Sequence, residues 1–336
     1  MSGNAALDRI AIIGGGAWGT ALALTARRAG RSVTLWAREA EVVAAINRDR
    51  VNPLFLPDVA LDAGIGATTE LSEAAASADA LLLVTPAQHL RALASALAPL
   101  LPAEAPLVIC TKGIEEKSGA LLSEVVAESL PRARLAILTG PTFAAEVARG
   151  LPTAVTLAVK DAALGRALIA ALGTRSFRPY LSADPVGAQI GGAVKNVLAI
   201  ACGVVVGRRL GDNARAALIT RGLAEMVRLA LAKGGQAETL MGLSGLGDLV
   251  LTCTSLQSRN FTLGVALGSG RELGEVLAER RSVAEGVSSA AAAAALARRL
   301  GVDMPITTAV DAILNRGADI DQSIERLLAR PFRSEG

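Results

Sequence analysis

At 336 residues the chain is long enough for two domains of ordinary size, each with its own buried core. Apolar residues make up 51% and charged residues 19%, which excludes a disordered chain and predicts one that folds throughout. A net charge of +3, spread among interspersed acids and bases, together with an aromatic content of 2%, argues against a nucleic-acid partner, which needs a basic stripe or stacking platforms.

The opening run MSGNAALDRIAII lacks the basic segment, apolar stretch and cleavage site of a signal peptide. From Arg9 to Tyr180 short apolar runs alternate with helical periodicity, the pattern of βαβ units on a parallel sheet. Strands are expected at 10–13, 32–36, 80–84, 107–110, 136–138, 154–158 and 176–180, with helices at 20–29, 90–100, 121–130 and 162–172. After Ser182-Ala183-Asp184-Pro185 the rhythm changes to helices rich in Ala and Leu, separated by glycine-containing turns. The expected division is therefore an α/β domain over 1–183 and an all-helical domain over 184–336. The apolar stretch 197–206 is too short for a membrane span and reads as a buried helix. Cys110, Cys202 and Cys253 show no CxxC spacing and cannot all pair, which suits a reducing cytoplasm.

The first strand runs into Gly14-Gly15-Gly16-Ala17-Trp18-Gly19 and then a helix, which puts GxGxxG in a strand-turn-helix setting. Gly14 serves the tight turn, Gly16 the approach of a pyrophosphate and Gly19 the packing of helix on strand, with the anion on the helix N-terminus. A purely structural glycine turn is the plain alternative. After the next strand comes Arg38, where an NAD-selective site places an acid for the ribose 2′-hydroxyl. A guanidinium there suits a 2′-phosphate and favours NADPH, unless Arg38 is simply an exposed residue paired with Glu39 or Glu41.

Only five of the 34 basic residues are lysines, so a lysine here marks a position where an amine is wanted. Lys112 follows a strand in Thr111-Lys112-Gly113, and Lys195 lies in the helical Gly191-Gly192-Ala193-Val194-Lys195-Asn196. Two helical glycines cost about 1 kcal/mol each relative to alanine, which makes sense if a ligand or another backbone comes close. Set between apolar flanks, Lys195 is expected to be partly desolvated, as suits an amine that gives and takes a proton. Asp248 follows the double-glycine turn Gly245-Leu246-Gly247 and reads either as a helix cap or as a site carboxylate. Thr252, Thr254, Ser255, Ser258, Arg259 and Asn260 then offer the hydroxyls, amide and guanidinium that a phosphate wants, or else a polar surface loop. His89, the sole histidine, reads as a surface residue at a helix start; one histidine and scattered cysteines make no zinc site.

Taken together, GGGAWGTALA, TKG, GPTFAAE, VKNVLAIACG and GLGDLVLTCTSLQSRN resemble, in order and spacing, the NAD(P)-dependent glycerol-3-phosphate dehydrogenases along essentially the whole chain. The resemblance implies a Rossmann-type doubly wound sheet followed by an all-α domain, usually as a homodimer, and an enzyme that interconverts dihydroxyacetone phosphate and sn-glycerol 3-phosphate for glycerophospholipid synthesis. It implies NADPH as the preferred cofactor, with NADH as a second, and no metal. By the same resemblance Gly14, Gly16, Ala17, Trp18, Gly19, Arg38, Lys112, Ala144, Arg259, Val283 and Glu285 contact the nucleotide. Lys112, Gly140, Thr142, Lys195, Asp248, Ser258, Arg259 and Asn260 contact the substrate, and Lys195, Asp248 and Lys112 form the catalytic set. Ala17 and Thr142 stand where the family often has serine. Two other readings compete: a hydroxy-acid dehydrogenase, which needs a carboxylate clamp where Ser258-Arg259-Asn260 stands, and a silent NADPH-binding sensor, which has no use for both Lys195 and Asp248.

Overall fold

The computed structural model describes residues 7–102, 104–279 and 285–332. It divides into two compact units, one of Met1–Lys112 and Ala120–Gln189, the other of Gly113–Gly119 and Ile190–Gly336.

The first unit is built on one eight-stranded sheet: β1 Arg9–Ile13, β2 Ser32–Trp36, β3 Ile65–Thr68, β4 Ala80–Leu83, β5 Pro106–Ile109, β6 Arg134–Thr139, β7 Thr153–Ala158 and β8 Phe177–Ser182. The order is β3-β2-β1-β4-β5-β6-β7-β8, which opens a switch point between β1 and β4 where the chain reverses its direction of travel across the sheet. Helices α1 Ala17–Arg28, α2 Ala40–Asp49, α3 Leu71–Ala76, α4 Leu90–Leu97, α5 Leu122–Ser129, α6 Ala144–Ala148 and α7 Ala162–Leu172 connect the strands. Both faces of the sheet are covered. Ile10 and Ile12 face one apolar layer with residues of α1, α2 and α7, while Ala11 and Ile13 face another with residues of α3, α4 and α5. Central strands buried on both sides read as unbroken apolar runs, which is why β1 and β4 are plain in the sequence.

Two features depart from the sequence-based expectation. The strand β3, Ile-Gly-Ala-Thr, is absent from it: half of this short edge strand is Gly and Ala, and only its pairing with β2 from Val33↔Ile65 to Trp36↔Thr68 makes it a strand. In addition, β7 runs antiparallel to β6, with Ile137↔Ala158 to Thr139↔Thr156 in register. The connection there holds only the five-residue α6, which lies against α1, where the Arg28 guanidinium donates to the Val147 carbonyl at 2.9 Å. Without a full crossover helix the chain turns back on itself rather than passing over to a parallel partner.

The helices that follow are α8 Pro185–Gly207, α9 Asp212–Ala232, α10 Ala237–Met241, α11 Asp248–Thr254, α12 Arg259–Gly268, α13 Leu273–Ala278, α14 Glu285–Leu300, α15 Pro305–Arg316 and α16 Ile320–Leu328. Among the described residues α8 alone is long and apolar enough to pass for a membrane span, yet 89% of its most apolar window is buried, so it is a core helix. Its close packing on α12 follows from four glycines spaced as two GxxxG pairs. A Cβ on Gly203 would stand 2.1 Å from the Phe261 carbonyl oxygen and one on Gly207 2.4 Å from that of Val265. Reciprocally, a Cβ on Gly264 would stand 2.0 Å from the Ile200 carbonyl oxygen and one on Gly268 2.5 Å from that of Val204. The alanine-rich segment lies within α14, with Ala290, Ala292, Ala293, Ala294 and Ala297 buried, so its small side chains serve close packing.

Another device in this second unit is Glu225. Its buried carboxylate accepts from the Ile306 N–H at 2.6 Å and from the Thr307 N–H at 3.0 Å, so α9 caps the first turn of α15. Burial pushes the carboxyl above its ordinary range, against the opposing pull of those N–H groups.

The glycine contacts give a stability test. Gly264→Val is expected to cost about 1–3 kcal/mol or more, because the α8 backbone cannot yield to a new side chain. Gly274→Ala in α13, where a Cβ meets nothing within 4 Å, is expected to gain about 0.4–1 kcal/mol. Urea denaturation of both variants checks the contrast; an unchanged midpoint in Gly264→Val would mean that the two helices are not held at glycine distance.

Candidate functional site

In the first unit the glycine loop joins β1 to α1 at the switch point. Gly14 has φ +135°, and a Cβ there would lie 2.9 Å from the Val84 carbonyl, while one on Gly19 would lie 1.8 Å from the Gly14 oxygen. Both positions therefore exclude any side chain, one by backbone conformation and neighbour, the other by helix-on-strand contact. At Gly16, by contrast, a Cβ meets nothing within 4 Å. Gly16 is also the N-cap of α1 and offers no side-chain cap, and the first turn, which holds Ala17 and Trp18, carries no acid. This helix end thus has no side-chain cap and has space beside Gly16, which suits a pyrophosphate.

The loop is braced from below by Asn52. This fully buried amide donates to the Gly15 carbonyl and to Thr20 Oγ1, both at 2.8 Å, and accepts from the Phe55 N–H at 3.2 Å. Nothing in the sequence singles it out, since asparagine before proline reads as an ordinary turn signal.

Three buried side-chain atoms lack a hydrogen-bond partner among the described residues: Trp18 Nε1, Thr85 Oγ1 and Thr139 Oγ1. Trp18 is in the first turn of α1, Thr85 just past β4 and Thr139 at the end of β6, so all three belong to the carboxyl-terminal edge of the sheet. Buried polar atoms are ordinarily paired, and a set of orphans along one edge fits a polar ligand that would supply the partners. A dinucleotide fits this cradle on both counts, space and unmet donors.

At the same edge the Lys112 ammonium donates to the Gly140 carbonyl at 3.0 Å, and the Thr142 hydroxyl donates to that carbonyl at 3.1 Å. Gly140 has φ +142°, a conformation that needs glycine, so this turn is set to present its carbonyl to the lysine. Ala144 opens α6 a few residues on and is half-buried. Arg38 lies past the end of β2 with its side chain 79% exposed, held to Glu39 by bonds of 3.2 and 3.0 Å to one carboxylate oxygen. His89 is exposed at the end of a short 3₁₀ turn before α4, the surface position expected of it.

In the second unit, Lys195 is the only charged residue on α8. Its ammonium donates to Asp248 Oδ1 at 2.5 Å and to Thr252 Oγ1 at 3.0 Å, with the two charged side chains 7% and 0% exposed. Asp248 is not a helix cap. It continues a π-helical turn, Leu243–Gly247, directly into α11, and is fully buried. The wider turn swings the carboxylate in toward α8, and insertions of this kind gather at functional sites. Gly191 makes the approach feasible, because a Cβ there would stand 2.1 Å from the Ser244 carbonyl oxygen. The glycine before Lys195 thus makes room for another backbone, one of the two causes the sequence left open. Thr252, grouped by sequence with the phosphate-binding hydroxyls, belongs instead to the lysine: its hydroxyl donates to the Asp248 carbonyl at 2.6 Å while its oxygen accepts from Nζ.

The next turn starts α12. Ser258 is its N-cap, accepting from the Phe261 N–H at 3.2 Å, and Arg259, exposed, is its first residue. Asn260 donates to Asn196 Oδ1 at 3.0 Å and accepts from the Gly286 N–H at 3.1 Å, so it ties α12 to α8 and to the start of α14. Glu285 is the first residue of α14, and Val283 lies outside the described residues.

Family models for the N-terminus and the C-terminus of NAD-dependent glycerol-3-phosphate dehydrogenase match residues 9–165 and 184–325. The chain belongs to the NAD-dependent glycerol-3-phosphate dehydrogenase family. A relative from Rhodospirillum rubrum named glycerol-3-phosphate dehydrogenase (NAD(P)+) is 63% identical over 333 residues, covering 99% of this chain and 95% of its own. One of the same name from Parvibaculum lavamentivorans is 58% identical over 330 residues, covering 98% and 99%. The crystal structure of a glycerol-3-phosphate dehydrogenase from Coxiella burnetii superposes with a TM-score of 0.93 at 41% identity, covering 96% of this chain and 99% of that one. Within this dehydrogenase the glycine loop and its orphaned donors are the features of the first unit that fit the family's nucleotide, and the buried ion pair is the outstanding feature of the second.

Asn52 offers the test of how the loop is held. Asn52→Ala is expected to lower stability by about 1–3 kcal/mol, since it strands the Gly15 carbonyl and the Phe55 N–H in a buried setting. Thermal melts would show it; an unaltered melting temperature would mean that the loop holds its shape without the brace.

Proposed function

We propose that this dehydrogenase interconverts dihydroxyacetone phosphate and sn-glycerol 3-phosphate with a nicotinamide dinucleotide, NADPH in preference and NADH as a second cofactor. The observation that carries the chemistry is the buried pair of Lys195 and Asp248, a proton donor held at a fixed point in a water-poor setting. The nicotinamide, when bound, supplies the hydride at C2 for reduction and accepts it for oxidation. Lys195 Nζ gives a proton to the oxygen on C2 as the ketone is reduced and takes it back from the hydroxyl in reverse, which spares the reaction a free alkoxide. Asp248 balances the ammonium charge, and together with Thr252 it orients Nζ through the bonds already formed. Lys112, anchored on the Gly140 carbonyl beside Thr142, supplies a second cation toward substrate and nucleotide.

The substrate's phosphate is assigned to the start of α12. Arg259 meets it with a charge-assisted contact, and Ser258 and Asn260 add donors at the same helix terminus. The remaining nucleotide contacts are assigned to the loop Gly14, Gly16, Ala17, Trp18 and Gly19, to Arg38, Ala144 and Glu285, and to Val283. A dimer of identical chains in the cytoplasm, supplying glycerol 3-phosphate to glycerophospholipid synthesis, completes the reading. Likeness to the family supports these last points.

Two measurements test the assignment. Lys195→Ala is expected to lower kcat by roughly 10² to 10⁴ with NADPH affinity nearly unchanged, because proton transfer is lost and the nucleotide cradle is not. Since that variant strands a buried carboxylate, at a cost of about 3–5 kcal/mol, the double variant Lys195→Ala/Asp248→Asn is measured beside it. Near-normal turnover in either would remove Lys195 as the acid/base. Arg259→Ala is expected to cut kcat/KM for dihydroxyacetone phosphate by about 30-fold to several thousand-fold while hardly touching the feeble rate with dihydroxyacetone. Equal losses with both substrates would take the phosphate away from Arg259.

A further inference from the structure

The two residues after Ala37 carry opposite charges side by side, at the place where a dinucleotide fold reads the adenosine ribose. In such folds an acid at this point holds a 2′-hydroxyl, and an arginine accommodates a 2′-phosphate. This chain presents both. The end of β2 is packed directly on the glycine loop: the Gly14 N–H donates to the Trp36 carbonyl at 3.0 Å, and a Cβ on Gly15 would lie 2.5 Å from that of Ala37. Arg38 and Glu39 are therefore the next side chains outward from the seat of the pyrophosphate.

Their geometry shows a weak, exchangeable pair. Arg38 reaches back to Glu39 through Nε and Nη2, and both bonds land on Oε1, so Oε2 takes neither. Glu39 occupies the N-cap of α2, yet its side chain makes no cap hydrogen bond there, so helix capping does not account for the carboxylate. The arginine side chain is 79% exposed and the glutamate 27%, and ion pairs open to water contribute little, so the guanidinium can leave its partner when a stronger anion arrives.

Resting on the cofactor reading above, we infer that Glu39 is a specificity-determining residue that holds down the preference for NADPH and makes NADH usable. With NADH, Glu39 accepts the ribose 2′-hydroxyl while Arg38 stays paired to it. With NADPH, Arg38 turns to the 2′-phosphate, and the glutamate beside it opposes that phosphate by like-charge repulsion. The unfavourable contact is as much a part of the discrimination as the favourable one.

Equilibrium binding of NADPH and NADH to the full-length protein, read by calorimetry or nicotinamide fluorescence without substrate, tests this. Glu39→Gln is expected to tighten NADPH and loosen NADH by about twofold to fivefold each, so that the ratio of the two Kd values moves by about tenfold toward NADPH. The shift should shrink in 0.5 M salt, where exposed charges are screened. Glu41→Gln, on the first turn of the same helix and absent from the pair, removes the same charge and should leave the ratio in place. The fragments adenosine 2′,5′-bisphosphate and AMP should repeat the pattern. If the wild-type protein binds both dinucleotides and Glu39→Gln leaves their ratio unmoved, or if Glu41→Gln moves it as far, the Glu39 assignment is overturned while the cofactor reading stands. If the wild-type protein binds neither, the cofactor reading fails and takes this inference with it.

Discussion

A charge buried away from water is tolerated only beside an opposite charge and with its remaining hydrogen-bonding capacity met, and the interior of the second unit is arranged around one such charge. Lys195 sits on a helix that is otherwise uncharged, with its ammonium against a carboxylate of 0% exposure. For that carboxylate to arrive, the chain must widen into a π-helical turn ahead of Asp248 and press its backbone onto α8 at Gly191. A side chain at Gly191 would push the turn away and leave both charges unpaired. The glycines and the ion pair are thus one constraint seen from two sides.

Two buried thiols lie close to the pair. Cys202 lies seven residues after Lys195 on α8, and Cys253 lies next to Thr252 on α11, and both thiols are free and buried. Burial, and then the contact with Cys202, push the Cys253 thiol well above its ordinary value, so it behaves as packing and not as a nucleophile. Close approach of α8 to α12 through Gly203, Gly207, Gly264 and Gly268 extends the same device along the helix, and it is this approach that brings Asn260 to Asn196. Packing and site geometry cannot be varied independently here.

In the first unit the division of labour is different. The sheet is satisfied by its own ladder and by two apolar layers, and the buried polar atoms left over fall at its carboxyl-terminal edge. Orphans of this kind carry a desolvation penalty, which a polar ligand at this edge would relieve. Trp18, Thr85 and Thr139 thus keep polar atoms without a partner among the described residues, whereas Asn52 donates both amide hydrogens to the glycine loop and the start of α1 and accepts from the Phe55 N–H of its own turn.

The strand-turn-helix around Gly14, the unbroken apolar strands β1 and β4, and the long helix α8 are all legible in the amino-acid sequence. They depend on local periodicity and on backbone freedom, which neighbouring residues carry. Lys195 and Asp248 could each be singled out by rarity and setting, but their pairing could not, because residues 53 apart meet only through the fold of the helices between them. The bond from Lys195 to Thr252 is equally illegible in sequence, because hydroxyl side chains look alike along a helix and only the helix face decides what they touch. Edge strand β3 and the reversed β7 lay beyond the sequence as well, since a strand of Gly and Ala has no propensity of its own and direction is set by the length of the connecting helix. Asn52 was hidden most completely. Its role comes from lying beneath a loop 37 residues earlier in the chain, a proximity that only tertiary packing creates. The sequence by itself therefore determined the fold class and the types of residue that could do chemistry; the tertiary structure decided which of them meet, because pairing of distant groups is a property of packed surfaces and not of local pattern.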